Sequence, residues 1–212
     1  KQLGIGMHNY HQQITVFPPA HFNEAGLPPN MPPYHRRACW YQCILGFIDQ
    51  APYFERYSAH KYSDPASPYI FYLPQDIQGQ IVPPMSCPSD PSSPGKGAGG
   101  NTAQFQGNYV CSSGAAVQAN GLPVDTAYND CGGMFYFNVS LGVHHCIDGT
   151  SNVAMMSESI IRGTAPDGRW GEAGGYWGGA PHGSWGYSSV EPPNTSVPDR
   201  AYSCKNATPA WN

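Results

Sequence analysis

Three pairs of adjacent prolines interrupt residues 16–35 and constrain the N-terminal part of the chain more than any other feature. Proline fixes φ and removes the backbone N–H, so neither a helix nor a central strand can continue through this segment. We therefore predict a loop across the surface here, with separate short helices before and after it.

Helical spacing of apolar residues flanks the proline segment on both sides. Residues 1–13 have apolar side chains at i, i+4 and i+7, namely Leu3, Met7 and Tyr10. No N-cap residue precedes them, which indicates the tail of a longer helix. A second apolar stripe predicts a helix over residues 36–50 that ends before Pro52 and packs on a sheet. This stripe consists of Trp40, Cys43, Ile44, Phe47 and Ile48.

The pattern changes from residue 105 onward, where aromatic and β-branched residues predict strands. We place the strands near residues 105–111, 133–140 and 152–160, in one small antiparallel sheet that supports the helices. The side chains expected to alternate between its faces are Met134, Tyr136, Val153 and Met155. The predicted fold class is α+β, with a single domain over residues 1–212 whose region 162–212 consists of long Gly-rich surface loops.

Composition limits the setting and the partners of the chain. Charged residues make up only 11% of it, against about a quarter in typical soluble domains, which indicates an extracytoplasmic surface. The 10 basic and 14 acidic residues give a formal net charge of -4 without any run of Lys or Arg, so we expect no nucleic-acid partner. Sequons at Asn138, Asn194 and Asn206 are candidate N-glycosylation sites that fit an exported protein.

The seven cysteines are scattered, and no Cys-x-x-Cys pair occurs, which argues against a zinc ribbon or a thioredoxin-type redox pair. Scattered cysteines among so few charges indicate disulfides formed in an oxidising compartment; the alternative is buried free thiols in a reducing cytosol. We expect at least two disulfides, preferably Cys131–Cys146 and Cys87–Cys111, because each closes a short span. The odd count leaves one cysteine without an internal partner.

Oxygen-bearing residues form a candidate site for a structural Ca²⁺ ion if their loops converge. The candidate ligands are Asp125, Asp130, Asp148 and Asn152. The alternative for the Asp148-Gly149 pair is a plain turn, because glycine accepts a positive φ and the Asp side chain bonds nearby backbone. We expect no other cofactor.

Aromatic residues in the Gly-rich C-terminal region suggest a second kind of site. Exposed aromatic rings offer flat apolar faces on which sugar rings stack. The candidate glycan contacts are Trp170, Tyr176, Trp177 and Trp185. The alternative is a Gly-rich loop that these rings anchor to the core.

Signatures of catalysis are weak in this chain. The sequence HGSWG at 182–186 is a near miss of the Gly-x-Ser-x-Gly nucleophile elbow, with no predicted strand before it. His8 and His11 lie about one helical turn apart without a third metal ligand nearby, which favours a solvated face. His144 and His145, adjacent in an expected strand, should point to opposite faces. Because no acid, base and nucleophile converge, we expect no enzyme activity.

In order along residues 2–160 the chain contains the motifs QLGIGMHNYH, VFPPA, FIDQAPYFERY, MSCPSDP, NYVCSSG, GGMFYFN and IDGTSNVAMMSE. Together they resemble a large bacterial prepilin-like family called domain of unknown function 1559. One family signature, a histidine followed by nine residues and then Asp-Gly, is not found. Asn138 and Ser157 stand where that histidine would precede the two Asp-Gly pairs.

The resemblance implies a pilin-like architecture, with a prepilin-type leader and an apolar stem helix upstream of Lys1, so that the numbering lacks both ends of the precursor. It implies a non-catalytic structural or assembly subunit at the cell surface or in the periplasm, anchored in the membrane through that upstream helix before assembly. The expected partners are copies of itself or other pilin-like subunits, contacted through the N-terminal helix. The alternative function is a secreted carbohydrate-binding module that binds surface glycans through residues 170–187, with Ca²⁺ as a structural ion.

Overall fold

A computed structural model of the chain describes residues 1–22, 38–60, 70–96, 104–114, 132–161, 173–177, 185–189, 192 and 195–196. Within these ranges the α-helices are α1 (Gln2–Ile14), α2 (Trp40–Ile44), α3 (Ala51–His60) and α4 (Gln75–Gln78). Short 3-10 turns lie at Leu45–Phe47, Ile70–Tyr72, Pro83–Met85, Val143–His145 and Thr150–Asn152. Among the described helices, none has both the length and the apolar composition that crossing a membrane requires.

The strands in the same ranges are short and form small sheets. They are β1 (His21–Phe22), β2 (Ala38–Cys39), β3 (Gly95–Lys96), β4 (Phe105–Gln106), β5 (Tyr109–Gly114), β6 (Phe135–Tyr136), β7 (Val139–Ser140), β8 (Met156–Glu158) and β9 (Gly186–Ser188). β1 pairs with β2, β3 with β4 and β6 with β7, each pair antiparallel. A three-stranded sheet has the order β8-β5-β9. This mixture of helices and small sheets confirms the α+β class.

The predicted single antiparallel sheet is wrong in its topology, although strands occur in all three predicted segments. β5 and β8 do pair antiparallel, with Val110 opposite Ser157. The 133–140 segment instead folds back on itself as the β6–β7 hairpin, where Asn138 takes a left-handed φ of 54°. β9, from the region predicted to be surface loop, completes the main sheet by pairing parallel to β5.

The predicted helix over residues 36–50 is shorter and interrupted. Its first described residues form β2, and α2 ends at Ile44. Asp49 takes a left-handed φ of 61°, after which α3 begins at Ala51. Pro52 therefore lies in the first turn of α3, where a missing N–H loses no helical hydrogen bond. The apolar stripe itself is confirmed in its fully buried members Trp40, Cys43, Ile44 and Ile48.

The described part of the proline segment is also not the surface loop predicted from its prolines. Residues 17–22 are buried, and they lead into β1. The N–H of Phe17 donates to the carbonyl oxygen of Leu141 at 2.7 Å, which joins this stretch to the chain after β7. The rest of the predicted loop, residues 23–35, lies outside the described residues.

One continuous apolar core joins the helices and the sheets. α1 contributes the buried side chains that its spacing predicts, Leu3, Met7 and Tyr10. At Gly6 the helix approaches Ile48 so closely that an added Cβ would lie 2.5 Å from its Cγ2 atom. From the predicted strands, Met134 is buried, and Val153 and Met155 pack against the core. The side chain of Tyr136 is not among those that the structure describes.

Candidate functional site

Aromatic rings from distant parts of the chain meet at the centre of the described core. This aromatic cluster consists of Trp40, Tyr41, Tyr53, Tyr57, Phe105, Tyr176 and Trp177. The rings of Tyr41 and Tyr176 stack with centroids 4.3 Å apart and planes 10° apart. The Trp177 ring meets the Tyr41 and Tyr57 rings edge-on, at 5.8 Å in both cases. Such pairs add about 0.5–1.5 kcal/mol each to the free energy of burial.

The predicted glycan contacts are wrong at Tyr176, Trp177 and Trp185, because a sugar can stack only on an exposed face. Tyr176, Trp177 and Trp185 are 1%, 0% and 4% exposed. The indole N–H of Trp40 donates to the carbonyl oxygen of Trp185 at 2.8 Å, which fastens that segment to α2. The structure fits the alternative, in which aromatic residues anchor the Gly-rich segment to the core. Trp170 lies outside the described residues.

The Asp148-Gly149 pair lies in an exposed turn. Gly149 has a φ of 86°, and the N–H of Asn152 donates to its carbonyl oxygen at 3.0 Å. The side-chain amide of Asn152 donates to the backbone oxygen of Asp148 at 2.7 Å. These bonds identify the Asp148-Gly149 pair as a plain turn. The other calcium candidates, Asp125 and Asp130, lie outside the described residues, which contain no group of three His, Cys, Asp or Glu side chains placed to hold a metal ion.

The cysteines that the structure describes are free thiols: Cys39, Cys43, Cys87, Cys111 and Cys146. The predicted Cys87–Cys111 disulfide is therefore wrong. The backbone of Cys87 is held by the Asn108 side chain, while Cys111 is fully buried on the central strand β5. Cys146 contacts the sulfur of Met134 at 3.5 Å. Its predicted partner, Cys131, lies outside the described residues.

Burial keeps three of these thiols protonated. Cys39 directly precedes α2, and burial raises its pKa to about 12. Burial likewise raises the pKa values of Cys43 and Cys111 well above the ordinary thiol value. The thiolate is the nucleophilic form of cysteine, so these thiols are unreactive at neutral pH. They act as small apolar packing residues.

Asp90 joins three segments of the chain through its buried carboxylate. It accepts hydrogen bonds from the N–H of Ile161 at 2.8 Å and from the N–H of Ser92 at 2.9 Å. The amide of Asn108 donates a third bond at 2.6 Å. These donors, with Ile161 first, hold the pKa of Asp90 below its usual value. We call this arrangement the Asp90 clamp; no motif in the sequence predicted it.

Histidines gather where the end of α1 meets the 3-10 turn Val143–His145. This histidine cluster consists of His8, His11, His144 and His145. The rings of His8 and His11 contact Phe17 at 5.8 and 4.7 Å between centroids. The rings of His144 and His145 lie 4.0 Å apart, so their predicted placement on opposite faces is wrong. Successive side chains in a 3-10 turn are about 120° apart rather than on opposite sides.

The sequon residue Asn138 is the one glycosylation candidate that falls in the described ranges. It is half-buried in the β6–β7 turn, and its backbone N–H donates to the carbonyl oxygen of His21 at 2.9 Å. Asn194 and Asn206 lie outside the described residues. Glycosylation at all three positions stays a prediction.

Comparison with known proteins identifies the family of the chain. A family model described as protein of unknown function (DUF1559) matches residues 1–212. No curated protein and no solved structure matches the chain. The resemblance seen in the ordered motifs of the sequence is therefore confirmed for this family.

Proposed function

The chain belongs to the DUF1559 family, and on this basis we propose that it is a pilin- or pseudopilin-like subunit of the cell surface. Its role in this proposal is structural, in a surface assembly or in building one, and it is not catalytic. The protein acts outside the cytoplasm and contacts copies of itself or other pilin-like subunits through its N-terminal helix.

The placement of α1 is the observation that carries this proposal. One face of the helix is buried in the body through Leu3, Met7 and Tyr10. The outward face is polar except for Ile5, which is 51% exposed. The helix is therefore fixed along its inner face, and its outward face is the part that stays open to the neighbouring subunits that this proposal requires.

The chemistry of the buried residues supports a structural role. The thiols of Cys39, Cys43 and Cys111 are protonated and enclosed, which makes them poor nucleophiles. The rings of Tyr176, Trp177 and Trp185 are buried in the core, so they offer no face to a glycan. We therefore do not favour the carbohydrate-binding alternative.

The proposal is tested by locating the native protein in its host with antibodies raised against residues 1–212. Fractionation should place it with the membrane and the cell surface, and mechanical shear should release a part of it as assemblies. Recovery of the protein only as a soluble monomer, before and after crosslinking, would contradict the proposal.

A substitution on the outward face of α1 sharpens this test. Ile5→Asp should remove the apolar contact and abolish the shear-released assemblies, while the purified domain keeps the wild-type unfolding midpoint. Asn9→Asp is the matched control, because it adds the same charge one turn later on the exposed side of the helix without removing an apolar group. Wild-type assembly by the Ile5→Asp variant would show that this face is not the contact.

A further inference from the structure

The contact between α1 and the turn Val143–His145 depends on an uncharged imidazole. The backbone N–H of Val143 donates to Nε2 of His11 at 3.3 Å. An imidazole nitrogen accepts a hydrogen bond only when it carries no proton, so His11 is neutral here with its proton on Nδ1. Protonation would turn the acceptor into a donor that faces another N–H. We propose that this contact is a pH-sensitive switch, closed near neutral pH and opened by acid.

The surroundings of His11 oppose a positive charge. Partial burial is the main cause that lowers its pKa, followed by His8 on the same helix and His144 on the facing turn. Further along the turn, the Nδ1 atom of His145 lies 3.1 Å from the backbone nitrogen of Gly142. Among the described residues, the charged groups that shift the His11 pKa are His8 and His144, and neither is a carboxylate.

The C-terminus of α1 acts to raise the pKa of His11, because the carbonyl end of a helix favours a nearby positive charge. The carbonyl oxygen of His11 itself already accepts a hydrogen bond from the N–H of Thr15 at 2.7 Å. The pKa of His11 is nevertheless lowered, with partial burial as the largest cause and His8 and His144 after it.

The direction of the pH dependence follows from this shift. In the unfolded or opened chain His11 has its ordinary pKa of about 6.5, whereas in the closed contact its pKa is lower. Between these two values the open form binds more protons than the closed form. The contact is therefore fully stable above about pH 6.5 and weakens as the pH falls through the lowered value.

Opening is local because other contacts hold α1 in place. Leu3, Met7 and Tyr10 on its inner face carry no group that titrates in this range, and they remain buried. Phe17 stays attached to Leu141 through its backbone hydrogen bond. The switch thus changes the mobility of the turn and of the end of α1 without unfolding the domain.

Nuclear magnetic resonance of the isotopically labelled chain tests the switch directly. Between about pH 8 and about pH 5 the Val143 amide resonance should shift with a midpoint below 6.5 that matches the titration of the His11 ring. His11→Phe keeps an aromatic ring against Phe17 but has no acceptor, so its Val143 amide should not follow this titration. The Asn152 amide, bonded to Gly149 in the neighbouring turn, serves as an internal control that should not shift.

Three further variants separate a charge effect from a change in packing. His8→Gln and His144→Gln each remove a like charge near His11, so each should move the Val143 midpoint upward toward 6.5. His11→Gln offers a neutral acceptor and should make the Val143 resonance independent of pH. A Val143 amide that does not titrate in the wild type, or that keeps the same midpoint in His11→Phe, would overturn the proposal.

Discussion

Two glycine-containing segments that look equally loop-like in the sequence have opposite positions in the structure. Residues 173–177 lie in the core, where Trp177 is completely buried. Residues 147–152 form an exposed turn, in which Ile147 is 89% exposed. Each segment contains a glycine with positive φ, 76° at Gly174 and 86° at Gly149.

The difference lies in what each glycine meets. A Cβ at Gly174 would lie 1.7 Å from the carbonyl oxygen of Gly107, and the N–H of Gly107 donates to the Gly174 oxygen at 3.1 Å. This close approach allows Tyr176 to stack on Tyr41. A Cβ added at Gly149 would have the side-chain amide nitrogen of Asn152 as its nearest neighbour, at 3.9 Å. A glycine therefore marks a buried backbone contact in one segment and only a turn in the other.

The largest expected effect comes from truncating the buried segment. Trp177→Ala should lower the free energy of unfolding by about 3–5 kcal/mol, because it removes a ring enclosed by Tyr41, Tyr53 and Tyr57. Ile147→Ala is the control in the exposed turn and should stay within about 0.5 kcal/mol of the wild type. Urea unfolding measures both, and equal losses would show that the two segments do not differ in burial.

The glycine comparison can be tested by adding one methyl group to each segment. Gly149→Ala should cost about 1–2 kcal/mol, because an alanine is strained at positive φ. Gly174→Ala has the same strain and also clashes with the Gly107 backbone, so it should cost about 2–4 kcal/mol. Thermal unfolding of the two variants gives the difference; a Gly174→Ala loss no greater than that of Gly149→Ala would argue against the close approach.

Two aspartates, one in a hydrogen-bonded clamp and one in the exposed turn, allow a comparison of how a carboxylate charge affects stability. Asp90 accepts three hydrogen bonds in its clamp, whereas Asp148 lies in the exposed turn. The folded pKa of Asp90 is lowered, so its stabilising effect is present above its ordinary value of 3.8 and is lost as the pH falls through the lowered value. Asp90→Asn should therefore unfold more easily than the wild type at neutral pH and approach it in acid.

The control for that experiment is Asp148→Asn, which removes an exposed carboxylate and should keep the denaturant midpoint of the wild type at neutral pH. Denaturant midpoints at a series of pH values provide the measurement. A constant gap between Asp90→Asn and the wild type, down to the most acidic pH at which both fold, would show that the carboxylate charge does not stabilise the clamp.

The smallest effect is expected from a hydrogen bond within the exposed turn. Asn152→Ala removes the bond to the Asp148 oxygen, yet both groups can bond to water instead. The free energy of unfolding should fall by no more than about 0.5 kcal/mol. Chemical denaturation would measure it, and a loss as large as that of Gly174→Ala would mean that the turn has a structural role beyond its own backbone.

Local patterns predicted a substantial part of this fold. The i, i+4, i+7 spacing in residues 1–13 correctly identified the buried face of α1, and the apolar stripe identified the core residues around Trp40. Aromatic and β-branched runs located β5 and β8. The ordered motifs indicated the family that the match over residues 1–212 confirms. These features depend on neighbours in the chain, so a single sequence is enough to reveal them.

The candidate sites were predicted less well, because they depend on which distant residues meet. The tryptophans and tyrosines were recognised as important, but nothing in their glycine-rich context shows whether the rings face solvent or the core. The histidines were noticed as separate pairs, His8 with His11 and His144 with His145, whereas the structure brings them together. The Asp90 clamp joins residues up to 71 positions apart and has no signature along the chain.

Helix periodicity, strand composition and motif order are properties of the sequence itself, because backbone geometry repeats over a few residues. The partition of strands into several sheets, the parallel pairing of β9 with β5 and the burial of Trp177 were decided only in three dimensions. These features depend on which segments exclude water together, and that choice is a property of the whole chain. The same is true of the thiols: scattered spacing suggested disulfides, but burial in one core left Cys39, Cys43 and Cys111 unpaired and protonated.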